Sequence, residues 1–186
     1  ARISMAFPFQ SAAALTPPLT EAYGATLAQI GVLIGRDLAP GGVVALPGSA
    51  TAARVGDVRV VGTSLGLMLA GGALPLIFPA WEAALAGRVV AGMGGVVVNI
   101  VMTKMVVDWF AGREISSALA IFITSWPLGI ALPLVVLTPI AATAGLAAAE
   151  AATLALVALA ALLFLLIYRP APAAAANAPA PAGAAR

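Results

Sequence analysis

About six apolar stretches, each close to the length that crosses a bilayer, occupy residues 3–168 almost without interruption. A hydrocarbon core of roughly 30 Å takes about 20 helical residues per crossing, so this length accommodates about six helices joined by very short connections. Only 9% of the residues are charged, against roughly a quarter in an ordinary soluble domain, which leaves too little polar surface to clothe a water-soluble fold. The reading is an all-α membrane protein, a bundle of six transmembrane helices.

Composition also removes whole classes of chemistry. The chain has no histidine and no cysteine, which excludes Ser-His-Asp and Cys-His nucleophiles, thiolate metal sites and disulfides. No cofactor or metal is expected, and the protein is not read as an enzyme. Net charge is only +2 and the basic residues are scattered rather than clustered, so no nucleic-acid partner is expected. The first apolar segment is too long and too rich in proline (Pro8, Pro17, Pro18) for the short apolar region of a signal peptide.

The spacing predicts helix 1 over about 3–20, a turn at 21–24, and helix 2 over about 27–47. A polar loop is expected at 49–59, then helix 3 at 60–80 and an interfacial Trp81-Glu82. Helix 4 is read at about 85–107, a charged loop at 108–114, helix 5 at about 115–140 and helix 6 at about 146–168. Residues 169–186 are almost entirely Pro and Ala, too poor in apolar bulk to pack, and are expected to form a flexible cytoplasmic tail or linker. The organisation is thus a bundle over 1–168 followed by a tail.

Threading six helices puts Arg2, Arg54, Arg59, Lys104, Arg113, Arg169 and Arg186 on one side. Arg88 stands on the other with Glu21, Glu82 and Glu150. By the positive-inside rule the first side, and both termini, are cytoplasmic, and the expected location is the bacterial cytoplasmic membrane.

The loop after helix 2 runs from Leu46-Pro47-Gly48 through Ser49 to Arg54-Val55-Gly56-Asp57-Val58-Arg59. It resembles the G-x-x-x-D-R-x-G-R-R signature of the major facilitator superfamily, with Arg54 and Gly56 on the central arginine and glycine. Ser49 replaces the first glycine, Ala53 the aspartate, and Asp57-Val58 the closing basic pair, with Arg59 one place late. Helix 4 opens on Arg88-x-x-x-Gly92-x-Gly94, which resembles the family's R-x-x-x-G-x-G pattern, and Asp108-Trp109-Phe110 closes it. In helix 5, Ser125-Trp126-Pro127-Leu128-Gly129 is only loosely similar to the drug-proton antiporter motif, so that subclass is disfavoured.

The resemblance implies the amino-terminal six-helix half of a transporter, made of two inverted three-helix repeats, in which bundles rock around a midplane site. It implies coupling or gating roles for Arg54, Gly56, Asp57, Arg59, Arg88, Gly92, Gly94 and Asp108. Because Ala53 lacks the aspartate, a reduced charge network of Arg54 and Asp108 is expected.

Charges inside a span cost roughly 2.5–3.5 kcal/mol each on insertion scales, so they are candidates for function. Arg36 and Asp37, mid-helix 2, either neutralise each other at a packing surface or hold an anionic solute and exchange a proton. Gln10, Asn99 and Trp126, with Thr124 and Ser125, fall at similar depth and could line a solute path or simply tie helices together. Arg88 and Lys104 sit near helix ends where long side chains snorkel, and Glu150 reads as interfacial. Glycines of helices 2, 3 and 4, including Gly31, Gly35, Gly66, Gly71 and Gly94, are expected to permit close helix packing. Pro40, Pro75, Pro127 and Pro133 should kink the spans.

The function expected is secondary transport of a small solute, with the cavity completed by a second six-helix half from the same or another chain. The alternative is a transport-inactive structural or assembly subunit of a larger membrane complex. Either way the lipid bilayer is a partner.

Overall fold

The computed structural model describes residues 2–36, 41–110 and 114–168. Asp37, Pro40, Arg113 and the 169–186 tail lie outside the described residues, as do the side chains of Ser49 and Ala53. The described residues are all-helical: α1 (Arg2–Ala14), α2 (Thr16–Tyr23), α3 (Leu27–Gly35), α4 (Gly41–Val55), α5 (Asp57–Ile77), α6 (Trp81–Phe110), α7 (Ile115–Ala144) and α8 (Leu146–Ile167). Among them α5, α6, α7 and α8 are long and apolar enough to cross a membrane. They coincide with the expected helices 3 to 6.

The expected helix 1 falls on two shorter helices, and the reasons are local; the expected helix 2 starts with α3, and its later part falls on α4 beyond residues 37–40, which lie outside the described residues. Pro17 and Pro18 have no N–H to return to the preceding turn, so the helix breaks at Leu15. The Thr16 hydroxyl donates instead to the carbonyls of Ala12 and Ala13, at 3.1 and 3.0 Å. Gly24 closes α2 in the left-handed region at φ 61°. Thr26 then opens α3 with a reciprocal cap, its N–H donating to Gln29 Oε1 at 2.8 Å while its Oγ1 accepts from Gln29 N at 3.3 Å. Thr26→Ala should lower stability by about 1 kcal/mol, read as a small downward shift in the melting of the detergent-solubilised protein.

The polar loop expected at 49–59 is mostly helix. Ala, Thr and Arg are compatible with a helix even where they are polar, so α4 runs to Val55 and the break contracts to Gly56, at φ 96°. Likewise α6 begins at Trp81 rather than residue 85, with Glu82 in its first turn, where a carboxylate suits the helix dipole.

The α5–α6 hairpin is the tightest unit. A Cβ on Gly71 would strike the Gly87 carbonyl, one on Gly87 would strike the Gly71 carbonyl, and one on Gly94 would strike the Ser64 carbonyl. The two backbones approach as close as small residues allow. Gly31, Gly35 and Gly66, also expected to mediate packing, face open space. The reason is rotational: they lie on helix faces that no neighbour covers.

Elsewhere α1 packs on α7, where a Cβ on Gly129 would meet Ala6 Cβ at 2.6 Å. Arg2 ties the same pair, its guanidinium 4.1 Å from the Phe122 ring centroid and its Nη1 3.2 Å from the Phe122 carbonyl. Helix α8 runs antiparallel to α5, with Leu165 against Gly62 and Leu154 against Gly72. The buried core forms two clusters. One centres on Val61, Leu65, Val98, Val101 and Phe164, the other on Leu15, Leu33, Leu137 and Ala149.

Candidate functional site

A cavity of about 100 Å³ lies inside the helices toward the Trp81 end of α6. Its wall is mostly apolar, with Met5, Leu33, Met68, Trp126 and Leu154 among its residues. Two opposite charges enter this wall, Arg88 from α6 and Glu150 from α8.

Arg88 is fixed by α1. Its Nη1 donates to the Pro8 carbonyl at 2.6 Å and its Nη2 to Ser11 Oγ at 2.9 Å. The buried Ser11 hydroxyl itself donates to the same Pro8 carbonyl at 2.6 Å. Charge-assisted bonds of this kind are the stronger class, and two of them set the plane of the guanidinium. The half-buried Glu150 lies in the field of Arg88, so among the described residues one positive and one negative group meet on a mostly apolar wall. Gly92, one turn on from Arg88, belongs to the same wall.

A second cluster sits at the other end of α6. Lys104 Nζ is 2.7 Å from Asp57 Oδ2 and 2.9 Å from Asp108 Oδ2. Asp57 is the first residue of α5, positioned by the turn at Gly56, and Asp108 is one turn beyond Lys104 on α6. A single ammonium therefore joins the entrance of one helix to the exit of the next.

The structure brings Arg88, Gly92 and Trp126 to one cavity and Asp57 and Asp108 to one ion cluster. Trp126 also stacks obliquely on Phe9, with ring centroids 6.0 Å apart. Others stand apart. Arg36 caps α3 with an exposed side chain, and Gln10 is half-buried on α1 outside the cavity wall. Asn99 is half-buried, and its Oδ1 is buried with no hydrogen-bond partner among the described residues. Gly94 lies at the helix crossing. Arg54 and Arg59 are exposed and make no ion pair among the described residues, so the cluster uses Lys104 where the sequence suggested Arg54.

Three participants escape a sequence reading. Lys104 looks like a snorkelling residue, Glu150 like an interfacial one, and Ser11 like an ordinary small polar residue. Arg88 and Glu150 do lie at similar depth from the same end of their helices, which was the available signal.

Four helices long and apolar enough to cross a bilayer, packed around a mostly apolar cavity whose wall carries Arg88 and Glu150, define an integral membrane protein. The sequence matches the Major Facilitator Superfamily across residues 1–186. The chain belongs to that family, whose members are membrane transporters of small solutes rather than enzymes. A search of curated proteins returns no match.

Proposed function

We propose that this chain forms one half of a secondary transporter for a small solute, lying in a bacterial cytoplasmic membrane with both termini inside. In this reading α1/α2 and α3/α4 supply the first two crossings and α5 to α8 the remaining four, as two inverted three-helix repeats. The helix pairings support it. Exchanging the first crossing with the fourth and the second with the fifth maps the α1–α7 contact onto the α6–α4 contact. Arg36, Gln10 and Asn99 then belong to the face that a second six-helix half covers. The Lys104 cluster acts as the cytoplasmic latch.

The observation that carries the reading is the charged wall of the internal cavity. Arg88 and Glu150 are costly within a span, and a purely structural subunit has no use for empty space around them.

Because the chain has no native cysteine, one introduced thiol reports accessibility cleanly. Thr153 lines the cavity, and Thr153→Cys in the reconstituted full chain should react with a small impermeant thiol reagent. Leu137→Cys, in the sealed core, should stay inert. If Thr153→Cys is as inert as Leu137→Cys, the cavity is closed to water in every accessible state and a structural or assembly role replaces transport.

A further inference from the structure

We propose that the groove between α1, α6 and α7 holds one anionic phospholipid of the cytoplasmic leaflet, with the lipid phosphate on Arg2 and an acyl chain along the groove. Only the choice of leaflet rests on the transport reading, through the orientation of the chain.

Arg2 is not disposed as a surface cation. Long basic side chains near a membrane surface ordinarily reach outward to water. The Arg2 guanidinium instead lies 4.1 Å from the Phe122 ring centroid and 5.7 Å from that of Trp126. Its Nη1 donates to the Phe122 carbonyl at 3.2 Å, and its Nε is buried without a hydrogen-bond partner among the described residues. No carboxylate there pairs with it, and its Nη2 is left for a ligand. A guanidinium turned into protein without a counter-charge is costly, and an anion that supplies one is held more firmly than at an exposed arginine.

The surroundings decide which anion. Arg2 stands in the wall of an open groove of about 390 Å³, otherwise lined by Met102, Val106 and Phe110 of α6 and by Ala118, Ile121 and Phe122 of α7. A small soluble anion would satisfy the arginine and leave this apolar wall uncovered. A phospholipid carries both complements in one molecule, and basic pockets between membrane helices on the cytoplasmic side take such head groups.

Depth agrees. Helices α6 and α7 have 30 residues each, about 45 Å against a hydrocarbon core of about 30 Å, so each overshoots by about 7 Å at either end. Phe122, on which Arg2 lies, is about 10 Å along α7 from Ile115. The guanidinium therefore sits close to the boundary between acyl chains and head groups, within reach of a lipid phosphate. Ile121, 74% exposed on the rim, opens the groove toward the acyl chains.

The test uses the purified full chain in dodecyl maltoside, with retained lipid counted by native mass spectrometry. One dioleoylphosphatidylglycerol should be retained, and dioleoylphosphatidylcholine, whose choline cancels the charge, should bind about tenfold more weakly. Neither dioleoylglycerol, which lacks the phosphate, nor glycerol phosphate, which lacks the chains, should displace it. Arg2→Gln should lower affinity by about tenfold or more. Ala118→Trp, which fills the groove and keeps the charge, should do the same. Arg59→Gln, at an exposed arginine of α5, should stay near the parent.

Undiminished retention by Arg2→Gln, or equal retention of phosphatidylcholine, overturns the anion contact. Undiminished retention by Ala118→Trp overturns the groove. Displacement by glycerol phosphate makes this a site for a soluble phosphate and rejects the lipid. Arg2→Gln also removes a tie between α1 and α7, so if it fails to fold, Ala118→Trp and the head-group comparison on the parent decide. Lipid retention and Thr153→Cys reactivity are separate measurements, so the lipid site and the transport reading can each fail while the other stands.

Discussion

Gly94→Leu should leave little folded protein. A side chain at this position projects into the Ser64 carbonyl and the Met68 and Leu67 side chains. Backbone cannot step aside as a side chain can, so the helices must separate. Overpacking a fitted contact costs about 1–3 kcal/mol, or more where the obstacle is rigid. Lipid offers no compensating hydrophobic drive to hold the helices together once contact is lost. Gly71→Leu, against the Gly87 carbonyl, should behave alike. Gly66→Leu is the control, since nothing lies within 4 Å of its added Cβ. Size-exclusion profiles and melting curves in detergent should separate Gly66→Leu, near the parent, from the other two. Equal behaviour of all three would show that the α5–α6 crossing does not depend on this approach.

Lys104→Met should alter conformational balance far more than stability. Its two ion pairs are partly exposed, with half of the Lys104 side chain accessible, and exposed pairs contribute roughly 0–1 kcal/mol each. Melting should therefore shift little. Removing the ammonium, however, leaves Asp57 and Asp108 facing one another without a counter-ion, which biases the latch open. A bias of about 1.4 kcal/mol changes a two-state population about tenfold. The rate at which Thr153→Cys is modified should change by several-fold in the Lys104→Met background. Adding Asp57→Asn and Asp108→Asn should bring it back toward the parent, because the repulsion is then gone. An unchanged rate in Lys104→Met would remove the latch from the mechanism.

The spans and the sites differ in how plainly they are written in the chain. Helices α5 to α8 follow from apolar length, since a predominantly apolar run of about 20 residues has one stable use. The interruption at Leu15 was less legible. Pro17 and Pro18 were visible in the first apolar segment, but the way the Thr16 hydroxyl reaches the carbonyl of Ala13, freed by Pro17, depends on its rotamer. At the signature loop the sequence suggested a polar connection, whereas α4 continues to Val55 and only Gly56 turns the chain. Polar residues at a membrane surface mark solvent, not the end of a helix.

Sequence by itself determined that this protein lives in a membrane, where its long helices run, and, through the Arg54-x-Gly56 and Arg88-x-x-x-Gly92-x-Gly94 motifs, which family it belongs to. Tertiary structure decided which polar groups meet. Ser11 and Arg88, far apart in sequence, join across α1 and α6, Lys104 reaches Asp57 rather than only its own helix, and Glu150 turns inward. Only packing could settle this. A helix that is apolar on every side carries no periodic mark of its buried face, so the rotation that aims each charge is set by the neighbours it packs against.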